Sequence, residues 1–370
     1  MNTQQEIDAR FRPTTSFDRS PVIQNVTFDL DSIRTDGLGS DNWVVTWADD
    51  DHQYVSWGDG VGFGAADMQE QNGPDRVGFG FRRIEGDFPD FTVHNVSGGK
   101  DAEHRADSVF DAPGYGNLLG NGKCYGMLAV DEKIYAYRIG DGHPLHIAFS
   151  ELYVSDDHCA TWWFTGVRFA REQFSNKRGF FAPTICNYGR NYEGARDDYI
   201  YMYAPEVCVD DGWEVQIPGL MTLIRALRSK IERQDDFEYS AGFNWPDQPT
   251  WSDDIEDRAP VFEDRGRGLM RSSVSYNAGL RRYLLLSQQV SRWEIRNGHL
   301  GIYDAPEPWG PWTEVLCENA WHPGLQHGYK SVYYNFSNKW LSDDGRDFVM
   351  IYTGPSHDQF GAVRGRFKVT

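Results

Sequence analysis

No two cysteines in this chain stand as a CxxC pair, and the five present, Cys124, Cys159, Cys186, Cys208 and Cys317, are scattered. That excludes a zinc ribbon or a disulfide framework and predicts free, buried thiols in a reducing compartment. Long apolar runs are missing as well: none approaches the roughly 20 residues that cross a bilayer as a helix. The amino-terminal MNTQQEIDARFRPTT has no apolar stretch of the signal-peptide kind, so the sequence as written reads as cytoplasmic. Basic charge is in deficit, with 36 Lys and Arg against 55 Asp and Glu and a formal net charge of −19. So negative a surface repels phosphate backbones and anionic headgroups, which argues against nucleic acid and membranes as partners, and also against heavily sulfated or uronate-rich ligands. A basic group at Arg76, Arg82 and Arg83 is the local exception.

Signatures of several common chemistries are absent too. There is no GxxxxGK[ST], no GxSxG and no HExxH, although His143 and His146 lie three apart, and Ile33 breaks the EF-hand spacing begun by Asp29 and Asp31. The run GDGVGFG at Gly58–Gly64 lacks the third glycine of a dinucleotide fingerprint and predicts a mobile loop.

What is abundant is aromatic residues, at 15%, and glycine, at 38 residues, a combination that suits strands and tight turns. No Pro/Gly/Ser-rich linker divides the 370 residues, so one domain spanning 1–370 is expected, with residues 1–38 as an amino-terminal segment able to close the last repeat. The repeat is a hairpin. In DNWVVTWADDDHQYVSWGD, from Asp41 to Asp59, two β-rich runs flank a polar turn at Asp49–Asp51, and the second run begins with a tyrosine. The pattern returns at Tyr135 after Asp131-Glu132, at Tyr201 after Arg196-Asp197-Asp198, at Tyr283 after Asn277-Ala278-Gly279, and as Phe348 after Asp343-Asp344-Gly345. Five hairpins at intervals of roughly 60 to 80 residues, each with room for about four strands, predict an all-β, five-bladed β-propeller. Ser155, Asp157, Thr161 and Trp162 match the Asp box S-x-D-x-G-x-T-W with Cys159 in place of its glycine, a structural turn. Only Ile224–Glu238 reads as helical, as a loop element between blades.

In a propeller, one axial end of the inner strands forms a ring around a funnel. Asp41 and Asp59 lie equally far from the first turn, so a regular hairpin sets them opposite each other at that end, with α-carbons about 4.5–5.5 Å apart. Two carboxylates so close should split in pKa, which suits an acid and a base or nucleophile at a glycosidic bond. Carrying this register round the ring adds Lys123, Glu206 as a third candidate carboxylate, Arg271, Gln288, and His327 and Lys330 as substrate-binding groups. Trp43, Trp57, Tyr115 and Trp309 are candidates to stack on sugar faces. The chemistry requires no cofactor, though the axis leaves room for a structural cation held by His327 or a carboxylate.

The segments SDNWVVTWADDDHQYVSWGDGVGFG, CNYGRNYEGARDDYIYMY, EYSAGFNWPDQPTW and APEPWGPWTEV together resemble a bacterial propeller family, long a domain of unknown function, that includes mycobacterial endo-D-arabinanases. The resemblance runs from about Asp41 to Gly354, with the WGDG and YGRNY-GARDDY runs the more specific. It implies a five-bladed glycoside hydrolase with paired carboxylates in the first blade, falling here on Asp41 and Asp59. Two other readings stay open. A polysaccharide lyase would abstract a proton with Tyr or His and neutralise a uronate with Lys123, Arg271 and Lys330. A non-catalytic carbohydrate-binding propeller would instead hold Asp41 and Asp59 buried or salt-bridged as fold elements.

Overall fold

The structure, a computed structural model, describes residues 16–99, 122–140, 149–175, 179–180, 183–206, 219–244, 247–269, 271–288, 300–318, 321, 331–355 and 358–370. Its strands form five separate antiparallel sheets. The first is β2 (Asp41–Trp47), β3 (Gln53–Gly58), β4 (Phe79–Glu85) and β5 (Thr92–Ser97), and the second β6 (Lys123–Val130), β7 (Lys133–Ile139), β8 (Phe149–Ser155) and β9 (Trp163–Ala170). The third joins β10 (Thr184–Ile185), β11 (Tyr199–Pro205), β12 (Leu220–Leu227), β13 (Glu238–Asn244) and β14 (Gln248–Ser252), with β15 (Pro260–Glu263) paired to β12. The fourth is β16 (Ser272–Asn277), β17 (Arg282–Gln288), β18 (Leu300–Ala305) and β19 (Thr313–Glu318). In the fifth, β20 (Val332–Phe336), β21 (Asp347–Thr353) and β22 (Phe360–Val369) are joined at the outer edge by β1 (Ile23–Asp36), with Ile23 opposite Val369.

The first strand of each sheet, β2, β6, β10, β16 and β20, packs against the next in cyclic order, which makes the assembly a five-bladed propeller. Hydrogen bonds link every neighbouring pair. Thr46 Oγ1 accepts from Ala129 N (2.8 Å) and donates to Asn187 Oδ1 (2.7 Å). Asn187 Nδ2 donates to Met127 O (3.1 Å), and its backbone N donates to Val274 O (3.2 Å). Ser273 Oγ donates to Tyr334 O (2.7 Å), and Asn335 Nδ2 to Trp43 O (2.8 Å), which closes the circle. These groups are buried, so each bond answers a polar atom that would otherwise be stranded without water.

In two of the hairpins the acidic turn accounts for the tyrosine. Asp50 accepts from His52 N (3.0 Å) and Tyr54 OH (2.7 Å), and Asp197 accepts from Tyr199 N (2.9 Å) and Tyr201 OH (2.8 Å). One carboxylate thus ties the turn to the strand that follows it. The Asp box is structural, as expected. Asp157 accepts from Ser155 Oγ (2.9 Å), Thr161 N (2.8 Å) and Thr161 Oγ1, and Cys159 takes the glycine position at φ 72°.

Two local expectations need correction. Ile224–Glu238 is not a helix: its start belongs to β12, and only 3₁₀ turns at Arg228–Lys230 and Gln234–Asp236 follow. β12 is paired on both flanks, by β11 and by β13 and β15, and those ladders override the local pattern. The GDGVGFG loop is packed down, with Val61 and Phe63 buried, Gly62 N donating to Ser40 Oγ (3.1 Å), and Asn95 Nδ2 reaching Val61 O and Phe63 O (3.3 Å each).

Candidate functional site

Each inner strand begins where its partner ends, so residues 41 and 58, 123 and 139, 184 and 203, 272 and 287, and 332 and 353 mark one common end of the barrel, its mouth. Asp41, Asp59, Lys123, Glu206, Arg271 and Gln288 all lie within three residues of these positions along the chain, so the structure places these six candidates at that end.

The first hairpin differs from its expected register by one residue. Asp41 pairs with Gly58, because β2 carries one extra residue between Asp41 and Val44 relative to β3. Asn42, in that bulge, has φ 58°, and its backbone N donates to Thr353 Oγ1 (3.0 Å) of the fifth blade. Bulges of this kind re-aim side chains. Here the bulge lays the Asp41 carboxyl along Gly58, where any Cβ would stand 2.5 Å from Asp41 Oδ1. Any larger residue at that point of the WGDG run would push the Asp41 carboxyl or its neighbours aside.

The two carboxyls occupy different surroundings. Asp41 is 5% exposed and accepts from Asn42 Nδ2 (2.6 Å). Burial, then the charges of Asp59 and Asp358, push its pKa up to about 7, against the opposing pull of Arg271 and Lys123. Asp59 is partly exposed and held at φ 53°, with its backbone N on Gly78 O (2.8 Å). Its Oδ1 is paired with Lys123 Nζ at 2.7 Å and Arg76 Nη2 at 3.3 Å, while Lys123 Nζ also donates to Gly78 O at 2.9 Å. A proton-holding carboxyl thus sits close enough to a cation-paired carboxylate to feel its charge.

The other candidates divide. Lys123 is the bridge between the first two blades at the mouth. Glu206 is buried and ion-paired with the buried side chain of Arg258 (Nε to Oε1, 3.0 Å). Arg271 is buried, 6.0 Å from the Tyr125 ring centre, and acts on Asp41 by charge; Gln288 is buried too, its N–H donating to Arg271 O (3.1 Å). Trp43 and Trp57 do not stack on sugars. Trp43, fully buried, packs edge-on against Phe63 and Phe360, and Trp57 closes over Gly80 and Gly62 in the same interblade core. Trp309 lies between β18 and β19, at the end opposite the mouth. His327, Lys330 and Tyr115 fall outside the described residues. Among the described residues no group of three or more His, Cys, Asp or Glu is placed to hold a metal. Sequence reasoning did not find Asp358, Arg258 or the role of Arg76 as a partner of Asp59. All three come from loops, without a motif.

Comparison by sequence finds no match, either to a family profile or to a curated protein. By structure, the chain is similar to a protein from Bacteroides ovatus provisionally assigned as a hydrolase, with TM-score 0.52, 12% identity, and 91% of this chain and 90% of that one covered. An α-L-arabinofuranosidase from Podospora anserina (TM-score 0.47, 9% identity, 96% and 98% covered) and a GH43_1 enzyme from Xanthomonas citri (0.49, 11%, 100% and 96%) resemble it more distantly. The likeness is one of fold.

Proposed function

We propose that the chain is a glycoside hydrolase acting on a neutral furanosidic glycan of the arabinan type, with Asp41 as proton donor and Asp59 as the ionised partner. The observation that carries this reading is the contrast within the pair. Burial and neighbouring acids push the pKa of Asp41 up to about 7, while Asp59 is ion-paired with Lys123 and Arg76. Asp41 gives its proton to the glycosidic oxygen as the C–O bond breaks. Asp59 then either attacks the anomeric carbon or removes a proton from the water that does, retention or inversion following from the carboxyl separation. The sequence resemblance to the arabinanase-containing propeller family supports the furanoside, and the hydrolase assignment of the Bacteroides ovatus protein of the same fold agrees with hydrolysis. A lyase is less well supported, because Lys123, which would neutralise a uronate, is engaged by Asp59.

The test is release of reducing ends from arabinan, galactan, xylan and uronate-bearing glycans by wild type, Asp41→Asn and Asp59→Asn, with melting temperatures as the check on folding. Hydrolysis of arabinan lost in both folded variants, and a wild-type rate that falls as pH rises through about 7, are expected. Full activity in either variant, or no release from any glycan, would sink the assignment and leave a carbohydrate-binding propeller.

A further inference from the structure

The basic group that stands out in an otherwise acidic sequence does not act as a unit. Arg76 is spent on Asp59, and Arg83 pairs with Glu85 (Nε to Oε1, 2.6 Å), whose same oxygen lies 3.9 Å from His94 Nε2. Among the described residues Arg82 has no such counter-ion. It is 3% exposed, its guanidinium lies 3.1 Å from the centre of the Phe63 ring, and its Nε and Nη1 have no hydrogen-bond acceptor among the described residues. Burial pulls its pKa down, and the opposing field of Asp36 does not offset that. A buried cation without an anion is costly, and proteins keep such a group where a ligand completes it.

Arg82 also lines an open cleft of about 360 Å³, between the Gly60–Gly64 loop and the two outer strands of the first blade. Arg83, His94 and Asn95 line it too, beside Val93 and Val96; Asn95 is spent on the Gly60–Gly64 loop and Arg83 on Glu85, so Arg82 is the cation that this wall presents without an ion pair among the described residues. The volume lies in the range of small-molecule sites. A cleft of this volume leaves ample room beyond a small free anion, which favours an anion delivered on a larger, otherwise neutral ligand.

We propose that this cleft is a second binding site that takes an oxyanion carried by a sugar, a uronate carboxylate or a phosphate ester, onto the Arg82 guanidinium. Guanidinium is the side chain best shaped for either oxyanion. The site is separate from the Asp41–Asp59 pair and stands whether or not that pair cleaves glycans. It is covalently close to it, because Phe63, on which Arg82 stacks, lies in the loop that follows Asp59.

The test is binding, read by calorimetry and melting temperature, with galacturonate, glucose 6-phosphate and inorganic phosphate as probes and galactose as the neutral control. Wild type should bind galacturonate or glucose 6-phosphate and not galactose, and whichever probe binds identifies the oxyanion. Arg82→Met should weaken that binding by about tenfold or more while remaining folded. Should Arg82→Met not fold, His94→Glu, at the exposed rim, places a carboxylate in the cleft and should weaken the same binding on a folded background. Inorganic phosphate bound as tightly as the sugar-borne anions would overturn the sugar requirement. No anion binding by wild type, or binding unchanged in the folded variants, would overturn the site.

Discussion

The two ends of this propeller use acidic residues in opposite ways. At the turn end, Asp50, Asp197, Asp157 and Asp344 each accept hydrogen bonds from residues within a few positions in sequence. There the inner strands pair regularly into their turns, as in Trp47 with Gln53, Val130 with Lys133 and Asn277 with Arg282. At the mouth, three inner strands carry an extra residue: β2 after Asp41, β6 after Cys124 and β20 after Val332. Asn42 and Tyr333, in two of those bulges, have positive φ, and Tyr333 OH reaches Tyr125 O in the third (2.6 Å). The mouth's carboxyls answer to cations and acids from other blades. Local order builds the turn end, and long-range electrostatics build the mouth, where irregular backbone and unsettled charge are the usual cost of a binding site.

That contrast can be broken or sharpened by four substitutions, taken from the largest effect downward. Asp59→Asn at the mouth should lower kcat/KM for arabinan by about 10²–10⁴-fold with the fold intact, as judged by circular dichroism. Asp41→Asn should be inactive yet more stable than wild type. The native carboxyl keeps a proton that the unfolded chain, at 3.8, releases, so wild-type stability falls as pH rises from about 4 to about 7. Removing that charge should give a melting-temperature advantage that is absent in acid and grows to at most about 4 kcal/mol above neutrality. A destabilised Asp41→Asn would mean that the carboxyl is a fold element. Gly58→Ala drives a methyl against Asp41 Oδ1 and Lys123 Cδ, and should cost about 10²-fold in kcat/KM through misplacement of the pair. Asp157→Ala, at the turn end, should lower stability by about 1–2 kcal/mol and leave kcat/KM unchanged; a change in rate would show the two ends to be coupled.

The same contrast sets what could be read from the sequence. The five hairpins were legible because polar turn and aromatic strand start lie within a few residues of each other, and in two of them the turn acid bonds the tyrosine directly, Asp50 to Tyr54 and Asp197 to Tyr201. The membership of the ring followed from the hairpins. The facing of Asp41 did not, because the extra residue in β2 is fixed by Thr353, more than 300 positions away, so the expected partner Asp59 gave way to Gly58. Trp43 and Trp57 were misread for a related reason. A strand residue points to one of two faces, and in a blade both faces can be buried between neighbours. Glu206 looked available because its partner Arg258 lies in a loop 52 residues on, with no pattern to announce it.

The pairing of Ile23 with Val369 has a bearing on synthesis as well as on architecture. Sheets one to four are each drawn from one continuous stretch of chain and can form as that stretch leaves the ribosome. The fifth must hold β1 in waiting until β22 has been translated, because loop closure over this distance cannot be anticipated locally. The closing of the axial circle and the completion of the fifth sheet are thus separate events: the first needs only β20 against β2, the second needs β22 against β1.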